Sequence, residues 1–321
     1  MTQQIAVSHS IVHPSELSTV INEGYTLPSS ANCELLAPGM NDTYQVVSGD
    51  RTYIYRVYRA GWRSTQDIQY ELDLLLHLHQ YGIPVSAPIP KSDGAYISKL
   101  MSPEGMRIGV LFTYAPGDVL GYQPDGALKY GALAAKLHNA LDLFQTETPR
   151  FALDLEHLLE NPLHKLRPFA EKQGSWGFLS QMGERLRTEI LAQEGLLEKG
   201  VCHGDLHGHN VHLDEHGRLV LFDFDCGGPG WRAYDLAVYR WAVDLHAKSR
   251  EPWDAFVKGY RSERSIQPVD MDLVPVFVAV RTVWLLGLQT DLVSLRGVRY
   301  VESVIQGGTR ALEKWDPALL R

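Results

Sequence analysis

Val201-Cys202-His203-Gly204-Asp205-Leu206-His207-Gly208-His209-Asn210, followed twelve residues beyond Asn210 by Phe222-Asp223-Phe224-Asp225, is the stretch on which the rest of the sequence turns. Asp205 lies in a loop of glycines and histidines, and Asn210 stands just ahead of a short predicted strand, Val211–Leu213. A second predicted strand, Leu219–Phe222, follows the turn Asp214-Glu215-His216-Gly217 and delivers Asp223 at its end. A two-stranded unit of this kind sets Asn210 and Asp223 side by side, an amide oxygen next to a carboxylate. These hard oxygen ligands suit Mg²⁺, which takes one or two carboxylates plus substrate phosphates. Asp205 then falls near the metal as a general base or an orienter of a hydroxyl nucleophile. The three together are a part set for phosphoryl transfer, where positioning and charge neutralisation supply most of the catalysis.

Five histidines between 203 and 216 raise a zinc reading. The His-Glu-x-x-His pattern and cysteine pairs at ligand spacing are both missing, and a predicted strand splits the histidines, so zinc is disfavoured. His203 is expected to make structural hydrogen bonds in the loop and His207 to sit near the base. His209, His212 and His216 read as surface or turn residues. Asp225 either binds a second metal or caps the following turn.

Working outward, Cys33–Leu36 and Tyr44–Val47 flank Pro38-Gly39-Met40-Asn41-Asp42-Thr43 as a hairpin, and Thr52–Tyr58 is a third strand. Apolar residues Ile68, Leu72, Leu75, Leu76 and Leu78 recur at helical spacing between Ser64 and His79, with Ser64 or Thr65 as cap and Gly82 and Pro84 as the stop. Ala95–Leu100 and Ile108–Tyr114 read as two more strands. Beyond Ala115-Pro116-Gly117-Asp118 the pattern becomes helical: Leu128–Leu143, Leu179–Leu191, Trp253–Arg261, Leu273–Leu288 and the last thirty residues. Only Val211–Leu213 and Leu219–Phe222 read as strands in that half. The expectation is an α+β protein of two lobes, a small β-rich one over residues 1–114 and a larger, mostly helical one over 115–321.

Composition agrees with such a chain. Of 321 residues, 45% are apolar and 21% charged, the mix of a globular protein rather than a disordered one. The net charge of −8 leaves no basic stripe for nucleic acid. Cys33, Cys202 and Cys226 are odd in number and far apart, against a disulfide framework. The N-terminus shows no basic-then-apolar leader, and Leu273–Leu288, interrupted by Pro275 and Arg281, is short for a membrane span. A cytoplasmic protein with no membrane or nucleic-acid partner is expected.

His203-Gly204-Asp205…Asn210 with Asp223-Phe224-Asp225 resembles the aminoglycoside phosphotransferase and choline kinase family, which shares the protein-kinase fold; Tyr234-Asp235-Leu236-Ala237 and Gly131–His138 are similar to its structural segments. The resemblance runs from about residue 30 to about 245. It implies ATP and Mg²⁺ as cofactors, Asp205 as catalytic base, and Asn210 and Asp223 as metal ligands. It also implies a cation on the third strand to reach the ATP phosphates, here Arg56 where lysine is usual, and an acid on the next helix, here Glu71. Period-2 alternation puts Ile54 on the face of Arg56, where it can pack on adenine. Gly39 and Asn41 belong to a phosphate-covering turn with a single glycine, and Leu111, Phe112, Thr113 and Tyr114 form the hinge that would meet adenine.

For the acceptor the resemblance implies an alcohol hydroxyl on a small molecule: an amino alcohol, an aminoglycoside, homoserine or something sugar-like, and an acidic chain favours a cationic one. The Tyr58–Ser64 and Ile83–Pro88 segments are similar to both type II homoserine kinases and stress-response Ser/Thr kinases. A protein substrate is the alternative, but Cys226–Ala233 is only eight residues and offers little docking surface. A pseudokinase would be expected to lose Asp205, Asn210 or Asp223, and all three are intact.

Overall fold

The computed structural model describes residues 5–314, which divide into two compact units. The smaller comprises residues up to Pro116 together with 146–149 and 220–222; the larger takes in the remainder.

In the smaller unit, helix α1 (Pro14–Gly24) precedes strands β1 (Asn32–Ala37), β2 (Asn41–Ser48) and β3 (Arg51–Tyr58). Helix α2 (Thr65–Gln80) follows, then β4 (Ser98–Ser102) and β5 (Gly105–Thr113). The strands form one antiparallel sheet in the order β1-β2-β3-β5-β4. Alternation decides its faces: Tyr44, Val46, Tyr55 and Val57 are buried with Leu17 and Ile21 of α1, while Ile54 and Arg56 occupy the other face of β3. Ser64 caps α2 through a capping box with Asp67, and Gly82, in the left-handed region, follows its end. The fourth strand lies three residues later than the Ala95 start expected for it, because Asp93-Gly94 forms a turn whose Asp93 carboxylate accepts the Ala95 N–H.

The larger unit carries β6 (Asp118–Val119), α3 (Pro124–Leu141), α4 (Asn161–Lys172), α5 (Trp176–Leu191), β7 (Lys199–Cys202), β8 (Val211–Leu213), β9 (Leu219–Leu221, shared with the smaller unit), β10 (Gly228–Trp231) and α6 (Arg232–His246). It ends with α7 (Glu251–Arg261), α8 (Pro268–Asp291), the single turn α9 (Val293–Arg296) and α10 (Val298–Glu313). The final residues expected to be helical, 315–321, lie outside the described part.

The expectation of only two strands in this half needs correction, since β6, β7 and β10 join β8 and β9. Antiparallel β7 and β10 flank the motif, with Gly228 opposite Cys202, and β6 pairs with β8. Their glycines hide them from a β-propensity reading but have steric causes. A Cβ on Gly200 would overlap the Arg232 guanidinium, and one on Gly230 would lie 2.7 Å from Leu153 Cβ. Helices α3 and α7 approach by the same device, since a Cβ on Gly131 would overlap the Phe256 carbonyl and one on Gly259 the Leu128 carbonyl. Helix α8 reaches 24 residues, longer than its apolar stretch suggested and long enough to cross a bilayer, but 72% of its apolar window is buried inside the protein.

Candidate active site

The loop after β7 is built around a buried carboxylate on α6. Asp235 accepts the His203 N–H at 2.7 Å with Oδ2 and the Gly204 N–H at 2.8 Å with Oδ1. His138 Nε2 of α3 lies 3.1 Å from the same Oδ2, and its Nδ1 lies 2.6 Å from the Tyr260 hydroxyl of α7. All of these side chains are buried. Burial, then the Arg232 guanidinium, lower His138 to about 4, so the imidazole is neutral at pH 7. Burial would raise Asp235, but its hydrogen bonds and the nearby imidazoles hold it below the ordinary range.

Gly204 has φ 77°, and a Cβ there would overlap the Cys226 carbonyl, so the His-Gly-Asp turn requires its glycine. His203 is buried under the Phe224 ring, centroids 4.2 Å apart, and its Nδ1 accepts the Asp205 N–H at 3.3 Å. Asn210 Nδ2 donates to the Asp205 carbonyl and to Asp205 Oδ2, both at 2.9 Å. With its amide nitrogen turned to Asp205, Asn210 directs its carbonyl oxygen the other way. Asp223 stands two residues past the end of β9 and is the one non-glycine among the described residues with positive φ, 67°, a conformation aspartate tolerates better than most side chains. An amide oxygen and a carboxylate from these positions match the oxygen donors Mg²⁺ prefers. Asp225 is buried; the Cys226 thiol lies 3.2 Å from its Oδ1, and Arg150 donates to its carbonyl at 2.5 Å.

Arg281 of α8, absent from the sequence-derived set, pairs with Asp205. Its Nη2 donates to Asp205 Oδ1, and the guanidinium carbon lies 5.5 and 4.7 Å from the Trp241 and Trp284 ring centroids. His207 Nε2 lies 3.4 Å from Asp205 Oδ2. Burial alone would push the Asp205 carboxyl up; the Arg281 guanidinium and then His207 reverse this and hold it well below the usual range. The available signal was a lone charge in Leu273–Leu288, otherwise apolar or uncharged. Tyr122 and His246 were also missed: Tyr122 stacks on His246 at 5.4 Å and meets His209 edge-on at 5.5 Å, gathering rings beside the loop. Trp231, Arg232 and Tyr239 are buried in the core.

In the smaller unit Arg56 and Glu71 meet as expected. Arg56 Nη1 donates to Glu71 Oε1 at 2.9 Å, the Tyr58 hydroxyl donates to Oε2 at 2.7 Å, and the guanidinium lies 5.4 Å from the Phe112 ring centre. Ile54 is the register partner of Phe112. Gly39 is in the turn before β2, where its N–H donates to Asp42 Oδ1 at 3.3 Å; Asn41 opens β2 opposite Tyr58. Asp42 is in turn held by buried Arg107 at 2.7 Å. Thr113 is engaged locally: its N–H donates to the Ala87 carbonyl at 2.9 Å and its carbonyl accepts the Ser86 hydroxyl at 2.5 Å. Tyr114, just after β5, is 38% exposed.

A five-stranded sheet carrying an Arg–Glu pair, and a mostly helical unit holding His-Gly-Asp beside an Asn, together define a kinase of the protein-kinase-like fold. The chain belongs to the phosphotransferase enzyme family, whose profile matches residues 34–269. It is 40% identical over 314 residues to an uncharacterised protein of Deinococcus radiodurans, covering 96% of this chain and 91% of that one. The solved structure of a microcompartment-associated aminopropanol kinase superposes with a TM-score of 0.77 at 24% identity, covering 94% of this chain and 97% of that one. Amicoumacin kinase hAmiN, solved with AMP-PNP, Ca²⁺ and Ami, superposes at 0.76 with 19% identity, covering 96% and 97%.

Proposed function

We propose that this kinase moves the γ-phosphoryl group of ATP to an alcohol hydroxyl of a small molecule, of the amino alcohol, aminoglycoside, homoserine or sugar-like class. The observation that carries this reading is Asn210 donating to Asp205 through its amide nitrogen, which leaves an amide oxygen for metal and a carboxylate for a hydroxyl. Asn210 and Asp223 hold Mg²⁺, which when bound neutralises phosphate charge. Asp205, ionised at any working pH, accepts a hydrogen bond from the acceptor hydroxyl and orients its oxygen on the γ-phosphorus. As the new O–P bond forms and the bond to the β-phosphate oxygen breaks, the hydroxyl proton passes to Asp205 and ADP leaves. The low basicity of Asp205 places that transfer late, as a loose phosphoryl transition state allows.

Arg56, braced by Glu71, holds the nucleotide phosphates, with the Gly39–Asn41 turn covering them. Ile54 and Phe112 pack on the adenine ring. With both backbone groups of Thr113 engaged, the adenine edge falls to Tyr114. Cys33, Cys202 and Cys226 as buried thiols suit the reducing cytoplasm.

The test is Mg²⁺-dependent transfer of label from γ-labelled ATP to a panel of amino alcohols, aminoglycosides, homoserine and sugars, beside a desalted protein extract, with wild type and Asp205→Asn. Label on one small alcohol, lost in the variant, supports the reading. Label confined to protein bands assigns a protein acceptor instead, and transfer unchanged in Asp205→Asn refutes the mechanism.

A further inference from the structure

Helix α8 brings a guanidinium to an apolar stretch where a hydrocarbon side chain would pack at least as well. Arg281 is 2% exposed, and it is the one charged residue between Leu273 and Leu288. Replacing a buried ion pair with apolar groups is often neutral or stabilising, so stability gives no reason for an arginine here. The geometry gives another. Asp205 Oδ2 is taken by Asn210 at 2.9 Å with His207 at 3.4 Å, and Oδ1 is taken by Arg281, so both carboxylate oxygens are fixed from different elements. Arg281 is itself held: its guanidinium lies over the rings of Trp241 and Trp284, and Nη1 lies 3.5 Å from the Gly204 carbonyl in the same loop.

We infer that Arg281 is a positioning residue for phosphoryl transfer, locking the Asp205 carboxylate in the rotamer that receives the acceptor hydroxyl; this rests on the function proposed above. Without Arg281, Oδ1 loses its partner and the carboxylate can turn about its χ angles toward metal or water. The Arg281–Asp205 pair also cancels one negative charge beside the metal ligands, so the carboxylate does not compete with Asn210 and Asp223 for the ion. Arg281 itself contacts neither nucleotide nor acceptor in this scheme, and its effect passes wholly through Asp205.

The test uses the full chain with Mg²⁺-ATP, reading inorganic phosphate release to water and phosphate transfer to 1-amino-2-propanol, for wild type, Asp205→Asn, Arg281→Met, Arg281→Lys and Asp205→Asn/Arg281→Met. Misplacement of a reacting group by about 1 Å costs on the order of 100-fold, and that is the expected fall in kcat for Arg281→Met, with KM for ATP within about twofold. Arg281→Lys keeps the charge and is expected to recover part of the loss. In the Asp205→Asn background Arg281→Met should change nothing further, and this double variant, with both charges gone, should keep the wild-type circular dichroism and unfolding temperature. The inference is overturned if Arg281→Met keeps wild-type kcat, if it lowers the Asp205→Asn rate by the same factor as wild type, or if it raises KM for the alcohol instead. Wild type no faster than Asp205→Asn on water and on every acceptor of the panel above refutes the function proposed there rather than the role of Arg281 alone; where another acceptor of the panel is turned over faster, the series is read on that one.

Discussion

Asp235 holds the His203 peptide through the same carboxylate that meets His138, so one buried group on α6 sets where the loop leaves β7. Asp235→Asn turns an amide N–H₂ toward a donor and strands at least one buried N–H, at a cost of about 1–3 kcal/mol for each unpaired group. The expected outcome is a clear drop in unfolding temperature together with a fall in kcat, measured by thermal denaturation and the transfer assay. Full activity in Asp235→Asn would show that the loop keeps its shape by other means.

His138 gives stability a pH dependence with a definite sign. Its pKa is about 4 in the folded protein against 6.5 in its ordinary state, so below pH 6.5 the unfolded chain gains a proton that the folded one refuses. Stability is therefore full above pH 6.5 and declines as pH falls toward 4. The loss reaches roughly 3 kcal/mol at 1.36 kcal/mol per unit. Chemical denaturation at a series of pH values measures this slope, and His138→Gln should flatten it.

Asp270, in the first turn of α8, carries the opposite sign. Burial raises it to about 6, while the Glu198 N–H at 3.1 Å only partly offsets this. Its contribution is favourable at low pH and is lost as pH rises through 6. Asp270→Asn keeps the acceptor oxygen and removes the charge. After allowing for a helix-terminus charge effect of about 0.3–1 kcal/mol, the variant should gain about 1–2 kcal/mol at pH 8 and nothing at pH 4.

Arg56→Met should raise KM for ATP about tenfold, the equivalent of 1.4 kcal/mol, and should also lower the unfolding temperature, because it takes the guanidinium away from the buried Glu71 carboxylate. Arg56→Lys should recover part of that affinity, because lysine supplies the charge without the two-pronged contact to phosphate. Equal KM values for Arg56→Met and wild type would remove Arg56 from the nucleotide site.

Gly259→Ala should destabilise by about 1–3 kcal/mol, an overpacking cost, because its Cβ would overlap the Leu128 carbonyl and push α7 off α3. Since Tyr260 of α7 reaches His138, the same substitution should also lower kcat, which separates it from a surface change.

The strands and helices that the sequence made legible were those with a clean period. Alternation placed Arg56 and Ile54 on one face of β3, and the Ser64 cap marked the start of α2. Helix α4 was unreadable because Pro168 stands inside it, and α6 because every residue from Arg232 to Arg240 is buried and no polar stripe remains. In the site, Asp205, Asn210 and Asp223 were legible from the His-Gly-Asp loop and the two short strands beyond it, and the Arg56–Glu71 pair from the family resemblance. Arg281, 76 residues from Asp205, offered only a charge out of place, and local pattern says nothing of where such a charge goes.

Salt will act unevenly on this protein. Lys165 with Asp291 and Lys172 with Glu302 tie α4 to the C-terminal helices through partly exposed pairs, and mobile ions screen such contacts. The Tyr260–His138–Asp235 relay is buried, where counterions do not reach. A rise in ionic strength thus loosens the outer helices first and leaves the anchor of the His203–Gly204 turn with the geometry it has in dilute buffer.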